Sequence, residues 1–212
     1  MEPKKASSSK VKFLDTKPKI VEFLESIRDI SLTSTPSLYI DIEGIDLSRH
    51  GTISILQVYV HPADKTYLLD IHSLQEKASS TPDSRGTTLK KVLESNEFKK
   101  VFFDVRNDSD ALFAHYGIHL AGIQDLQLME LVTRSYSKKF VTGLGKCIEK
   151  DAPITSTEKV DWSLTKERGR RLFAPEYGGK YEVFNNRPLS QDILQYCCQD
   201  VEFLPETLED IR

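Results

Sequence analysis

No stretch of the 212 residues approaches the roughly 18 to 20 consecutive apolar positions needed to cross a bilayer. The opening segment, MEPKKASSSKVKF, lacks the apolar centre of a secretory signal. The expected setting is intracellular, in nucleus or cytoplasm, without a membrane partner; Lys4 and Lys5 alone are too little for a nuclear signal. Cysteine is scarce. The three present, Cys147 and the adjacent Cys197 and Cys198, lack the paired spacing and histidine company of a zinc site, so all three read as reduced thiols. An excess of basic charge is also missing: 29 Lys and Arg stand against 32 Asp and Glu, a net charge of −3. Bulk electrostatics therefore does not advertise nucleic-acid binding, and any phosphate footprint has to be local. The short basic clusters at Lys90-Lys91, Lys99-Lys100, Lys138-Lys139 and Arg168 with Arg170-Arg171 read as solvated surface. Internal repeats are absent.

What remains is the composition of an ordinary globular protein, 39% hydrophobic and 29% charged, at a length that suits one domain. Residues 1–15 carry Lys and Ser without periodicity and are expected to form a mobile tail, leaving 16–212 as the folded domain. From Pro18, Ile20, Phe23, Leu24, Ile27 and Ile30 recur at the spacing of an amphipathic helix. Three strand-like runs follow at 38–43, 52–60 and 66–71, as an antiparallel meander. A Ser/Thr-rich stretch, 78–88, precedes a short helix and then a buried strand at Val101-Phe102-Phe103. Helices are expected at 107–116, stopped by Gly117, at 126–135 and at 144–150. The Pro-, Gly- and charge-rich segment 151–187 predicts only short helices, before Ser190 caps a final helix to about Leu208. Strands first, helices later and some helices between strands make a layered α/β or α+β domain.

Three acidic groupings carry the chemical interest. Asp41 and Glu43 are two apart in a strand, so both leave one face while Leu38, Ile40 and Ile42 leave the other. Such a pair fits an edge strand with a wet face, or a central strand whose anions are compensated by a cation. Tyr196 and Asp200 are one turn apart on the last helix, beside the core stripe of Ile193, Cys197, Val201 and Leu204. That aspartate fits a stripe margin bonded to the tyrosine, or a metal ligand beside a water-positioning hydroxyl. Between them, Phe103-Asp104-Val105-Arg106-Asn107-Asp108-Ser109-Asp110 passes from strand end to helix start, where acids also serve as caps.

Asp41-Ile-Glu43, the acidic turn at Asp108, and Tyr196-x-x-x-Asp200 together resemble the three exonuclease motifs of the DEDD superfamily, tyrosine branch, in order and approximate spacing. The resemblance covers about residues 36–208, and flanking words agree: Ser54-Ile-Leu-Gln57, His115-Tyr-Gly-Ile118, Asp125-Leu-Gln127 and Arg187-Pro-Leu189. The wording is most similar to the ribonuclease D-like branch that includes Egalitarian-type proteins. It implies a ribonuclease H-like α/β fold, with a five-stranded mixed sheet flanked by helices. Motif two falls on Asp108 by its distance from Phe103 and Gly117, with Asp110 in reserve. Phe103 stands where that family has a histidine, and the Ser-rich insertion is a second departure.

The resemblance further implies a two-metal 3′-5′ exonuclease that acts on a nucleic acid with a 3′ end, RNA or DNA. Asp41, Glu43, Asp108 and Asp200 would be ligands of two divalent cations, Mg²⁺ or Mn²⁺. Asp41 would bridge both ions, Glu43 and Asp200 would complete the nucleophile-side ion, and Asp108 would hold the second through water. Tyr196 would orient the attacking water. Gln57 reads as a satisfied sheet residue and Trp162 as packing, whereas Lys180 and Arg187 fit either backbone phosphates or solvent. The contrasting reading is a binding or scaffold protein that keeps the fold without turnover.

Overall fold

The computed structural model describes residues 10–32 and 36–211. In chain order, β1 (Val11–Leu14) and α1 (Lys17–Ser26) lead into the meander β2 (Leu38–Glu43), β3 (Ile55–Val60) and β4 (Lys65–Asp70). Short helices α2 (Ile71–Leu74), α3 (Glu76–Ser80) and α4 (Leu89–Glu94) come next, then β5 (Lys100–Phe102), α5 (Arg106–Tyr116) and β6 (Ile123–Asp125). The remainder is helical: α6 (Leu126–Thr133), α7 (Leu144–Asp151), α8 (Ser156–Phe173), α9 (Gln191–Glu202) and α10 (Leu204–Ile211).

Among the described residues the strands form one six-stranded mixed sheet, ordered β1-β4-β3-β2-β5-β6. The α/β class is as expected. The sixth strand is β1, which corrects both the five-strand count and the expectation that residues 11–14 belong to a tail; residues 1–9 lie outside the described residues. β1 pairs parallel with β4, Phe13 opposite Leu68, and its Lys-bearing alternation is that of an edge strand. At the centre, β2 runs antiparallel to β3 and parallel to β5.

Alternation along β2 and β3 decides which core each residue joins. Leu38, Ile40, Ile42, Leu56, Val58 and Val60 face a layer containing Ile20, Phe23, Val92, Leu93 and Leu112 from α1, α4 and α5. The opposite face, with Tyr39, Ile55 and Tyr59, lies under α9 and α10 through Ile193, Cys197, Val201, Leu204 and Leu208.

Two expectations for the C-terminal half are corrected. The stretch read as short helices contains the 18-residue α8, started by a capping box in which Thr155 and Glu158 satisfy each other's backbone amides. The single final helix is two, because the chain breaks at Phe203 and restarts at Leu204-Pro205, where a residue without an amide hydrogen belongs in a first turn.

Candidate active site

Three elements deliver the acids. β2 sends Asp41 and Glu43 out of the face opposite Ile40 and Ile42, with cross-strand partners Gln57 and Ile55 on the same side. α9 lies over that face, its first turn fixed by Ser190, which accepts from the Ile193 amide (3.3 Å). Its buried stripe seats Tyr196 and Asp200 above β2. One carboxylate oxygen each from Asp41, Glu43 and Asp200 lies within 4.8 Å of the others.

Asp108 arrives from the β5–α5 junction. Asp104 adopts a left-handed conformation (φ 63°) that turns the chain sharply out of β5. Asp125, at the end of β6, accepts from the amides of Asp104 (3.1 Å) and Val105 (3.0 Å) and also from Gln127 at the start of α6 (2.9 Å). One aspartate thus holds two element starts together. Asp108 sits buried in the first turn of α5, outside the compact trio but near enough to Asp41 to feel its charge. Asp110 is committed elsewhere, since it receives the Arg49 amide (2.9 Å) and guanidinium (2.5 Å), and that hydrogen bonding holds its carboxyl below the usual range.

The electrostatics of the cluster are those of anions crowded out of water. Burial, then repulsion from Asp200, pushes the Asp41 carboxyl up to about 7. Burial and Asp41 raise Glu43 well above its ordinary value, and the same two causes raise Asp108. Burial also raises Asp200, although a lysine opposes the shift.

That lysine, Lys166 of α8, was not singled out from the sequence. Its ammonium donates to Asp200 Oδ2 (2.5 Å) and lies 4.4 Å from the centre of the Tyr196 ring. Trp162, Lys166, Gly169 and Phe173 fall at i, i+4, i+7 and i+11, the inward face of α8 with Trp162 and Gly169 buried and the other two half-buried, and a lysine on such a face was the available signal. Gly169 lets α8 approach Tyr196 closely, because a Cβ there would stand 2.5 Å from Tyr196 Cδ2. Phe173 closes on the same tyrosine ring edge-on at 5.1 Å.

The remaining candidates divide. Arg187 grips the buried Asp70 through Nε (2.8 Å) and also donates to the carbonyl of Phe184 (2.8 Å), so it acts as a structural clamp. Lys180 is exposed. Trp162 packs against Ile148 and Ala152. Gln57 is fully buried in the sheet, its side chain beside the Cys197 thiol. Phe103 packs beside Met129 and Leu144, filling with an apolar ring the position where the resembled family has a polar one. Cys147, Cys197 and Cys198 are all buried, and none of them is in a disulfide.

The donor set suits hard divalent cations. It offers only carboxylate oxygens, and Asp200 Oδ1 is buried without a hydrogen-bond partner, a lone acceptor that a cation would satisfy. Among the described residues no helix is long and apolar enough to cross a membrane.

Comparison with known proteins agrees with this geometry. The mouse (Mus musculus) piRNA biogenesis protein EXD1 is 29% identical over 172 residues, and the human (Homo sapiens) protein of that name 26%. Each alignment takes in 79% of this chain, which spans only 27% and 30% of those relatives' lengths. The fold is that of Trypanosoma brucei RNase D in its GMP complex, with a TM-score of 0.71 at 23% identity, over 95% of this chain and 56% of that one. The catalytic core of RRP6 from the same organism superposes with a TM-score of 0.66 at 15% identity, over 95% of this chain and 45% of that one. A family model described as 3′-5′ exonuclease matches residues 19–212, and the chain belongs to that family.

Proposed function

We propose that this chain hydrolyses phosphodiester bonds one nucleotide at a time from the 3′ end of RNA, as a metal-dependent exonuclease of the tyrosine branch. The observation that carries the reading is the convergence of Asp41, Glu43 and Asp200 within 4.8 Å, with Asp108 alongside and one buried carboxylate oxygen left without a donor. Four acids crowded together with a single lysine and partly withdrawn from water cost stability, so a bound cation gives this arrangement its physical reason.

Asp41, Glu43, Asp108 and Asp200 would hold two ions, Mg²⁺ or Mn²⁺. Such ions, when bound, supply charge for the attacking water and for the departing 3′ oxygen. Tyr196 contributes orientation. Burial, with the charges of Glu43 and Asp200, holds its hydroxyl well above the ordinary tyrosine value, so it stays protonated and positions the water by hydrogen bonding. Its ring is fixed by Phe173 and by the close approach of Gly169, which narrows where that hydroxyl can point. The product is a nucleoside 5′-monophosphate. RNA as the substrate is supported by the relatives, which are named for piRNA biogenesis, and by a structural neighbour described as RNase D in complex with RNA U12.

The test is product identification. Single-stranded RNA labelled at its 3′-terminal nucleotide, incubated with Mn²⁺, is expected to release labelled nucleoside 5′-monophosphate at once and to stop releasing it on addition of EDTA. Release that persists in EDTA, or internal fragments appearing first, would overturn the reading.

A further inference from the structure

Lys166 is the one unexpected member of the cluster. It enters from α8, an element that supplies none of the four acids. Its backbone is fixed: the Gln199 side chain, in the orientation that satisfies both its ends, donates to the Trp162 carbonyl (3.2 Å) and accepts from the Lys166 amide (3.0 Å). Its ammonium is set between the Tyr196 ring (4.4 Å) and Asp200 Oδ2 (2.5 Å), and Glu43 and Asp41 are close enough to act on it as well. A single positive charge therefore already stands where the acids would otherwise attract a divalent ion most strongly. A lysine ammonium is a compact point charge on a flexible stem, able to neutralise a carboxylate and to leave it.

We propose that Lys166 is a built-in counter-cation that competes with a divalent ion for Asp200. The inference rests on the metal-dependent reading above and adds a residue that sets how tightly the site takes up metal. With Lys166 on Asp200, the cluster is partly neutralised before any ion arrives, so the acids can be held together in the free protein. An incoming ion at Asp200 meets a like charge and has to displace it. Lys166 is thus a positioning residue for the acidic ligands, with an effect on metal uptake opposite to that of a supporting residue. Removing it should tighten metal binding, whereas removing a structural prop would loosen it.

The experiment is a Mn²⁺ titration of the whole 212-residue chain, read by electron paramagnetic resonance of the free ion, for wild type, Lys166→Met, Lys166→Gln and Lys166→Arg, each checked for folding by circular dichroism. Two neutral variants are used so that a folding defect in one does not end the test. Loss of a unit charge beside Asp200 is expected to tighten Mn²⁺ binding about tenfold or more in K166M and K166Q alike, while K166R stays near wild type. Equal or weaker binding by the neutral variants overturns the proposal and leaves the exonuclease reading standing. No binding by any of the proteins overturns both.

Discussion

Two kinds of buried or half-buried carboxylate stand side by side in this molecule. Asp70, Asp83 and Glu130 each meet one arginine, respectively Arg187, Arg28 and Arg134. For Asp70 and Asp83 burial works against ionisation, and the arginine together with hydrogen bonds from Ser73, or from the Arg85 and Thr87 amides, more than offsets it, while for Glu130 the arginine is the leading influence; all three end below their ordinary values. Asp41, Glu43 and Asp200 share one lysine, Asp108 meets only other acids, and all four end above theirs. The first set joins elements: Asp70 ties the end of β4 to the segment before α9, and Asp83 ties the Ser-rich stretch to the turn that follows α1. In the second set one ion pair, Asp200 with Lys166, joins α9 to α8. A fold tolerates such a cluster when it is kept for chemistry.

The predictions sharpen that contrast, the largest effect first. Asp41→Ala is expected to abolish shortening of RNA in a gel time course while leaving thermal stability of the metal-free protein unchanged or higher, since it removes an unfavourable charge. Arg187→Ala should do the reverse. It leaves Asp70 buried and unpaired, at a cost of about 2–3 kcal/mol in denaturant unfolding, less than for a fully buried pair because Arg187 reaches solvent.

Gly169→Ala places a methyl group against the Tyr196 ring, and displacing the tyrosine should lower the rate about tenfold to a hundredfold, a cost typical of losing an orienting partner. Circular dichroism would show the fold retained.

A smaller effect is expected in pH melts of metal-free protein. Between about pH 4, the ordinary carboxyl value, and about pH 7, folded Asp41 keeps a proton that the unfolded chain has shed, so stability falls as pH rises through that window. Asp70 gives the opposite sign: its contribution is present above about pH 4 and is lost as pH falls through its lowered folded value. Asp41→Asn should lessen the first slope by the share of Asp41, with Glu43, Asp108 and Asp200 keeping theirs, and leave the second.

These contrasts also mark what the sequence could disclose. The meander was legible because β2, β3 and β4 are short runs separated by a Gly-containing segment and by His61-Pro62-Ala63-Asp64, and the opening helix because Ile20, Phe23 and Leu24 keep a helical period. α8 was not, since Val160 and Leu164 are exposed and charges surround the few buried positions, leaving little apolar contrast between its faces. Missing that helix meant missing Lys166. β1 was hidden by its length of four residues and by the lysines around it, since an edge strand buries little. For motif two, spacing pointed to Asp108, but only the structure displays the reason Asp110 is different: the Arg49 guanidinium, far away in sequence, already holds it.

That pair of neighbours gives the most direct test. Asp108→Asn and Asp110→Asn differ by two positions on one helix, one in the unrelieved cluster and one paired with arginine. On 5′-labelled single-stranded RNA with Mn²⁺, the account predicts stepwise shortening by wild type and by Asp110→Asn at similar rates, and none by Asp108→Asn. Equal activity in the two variants, or loss in Asp110→Asn alone, would contradict it.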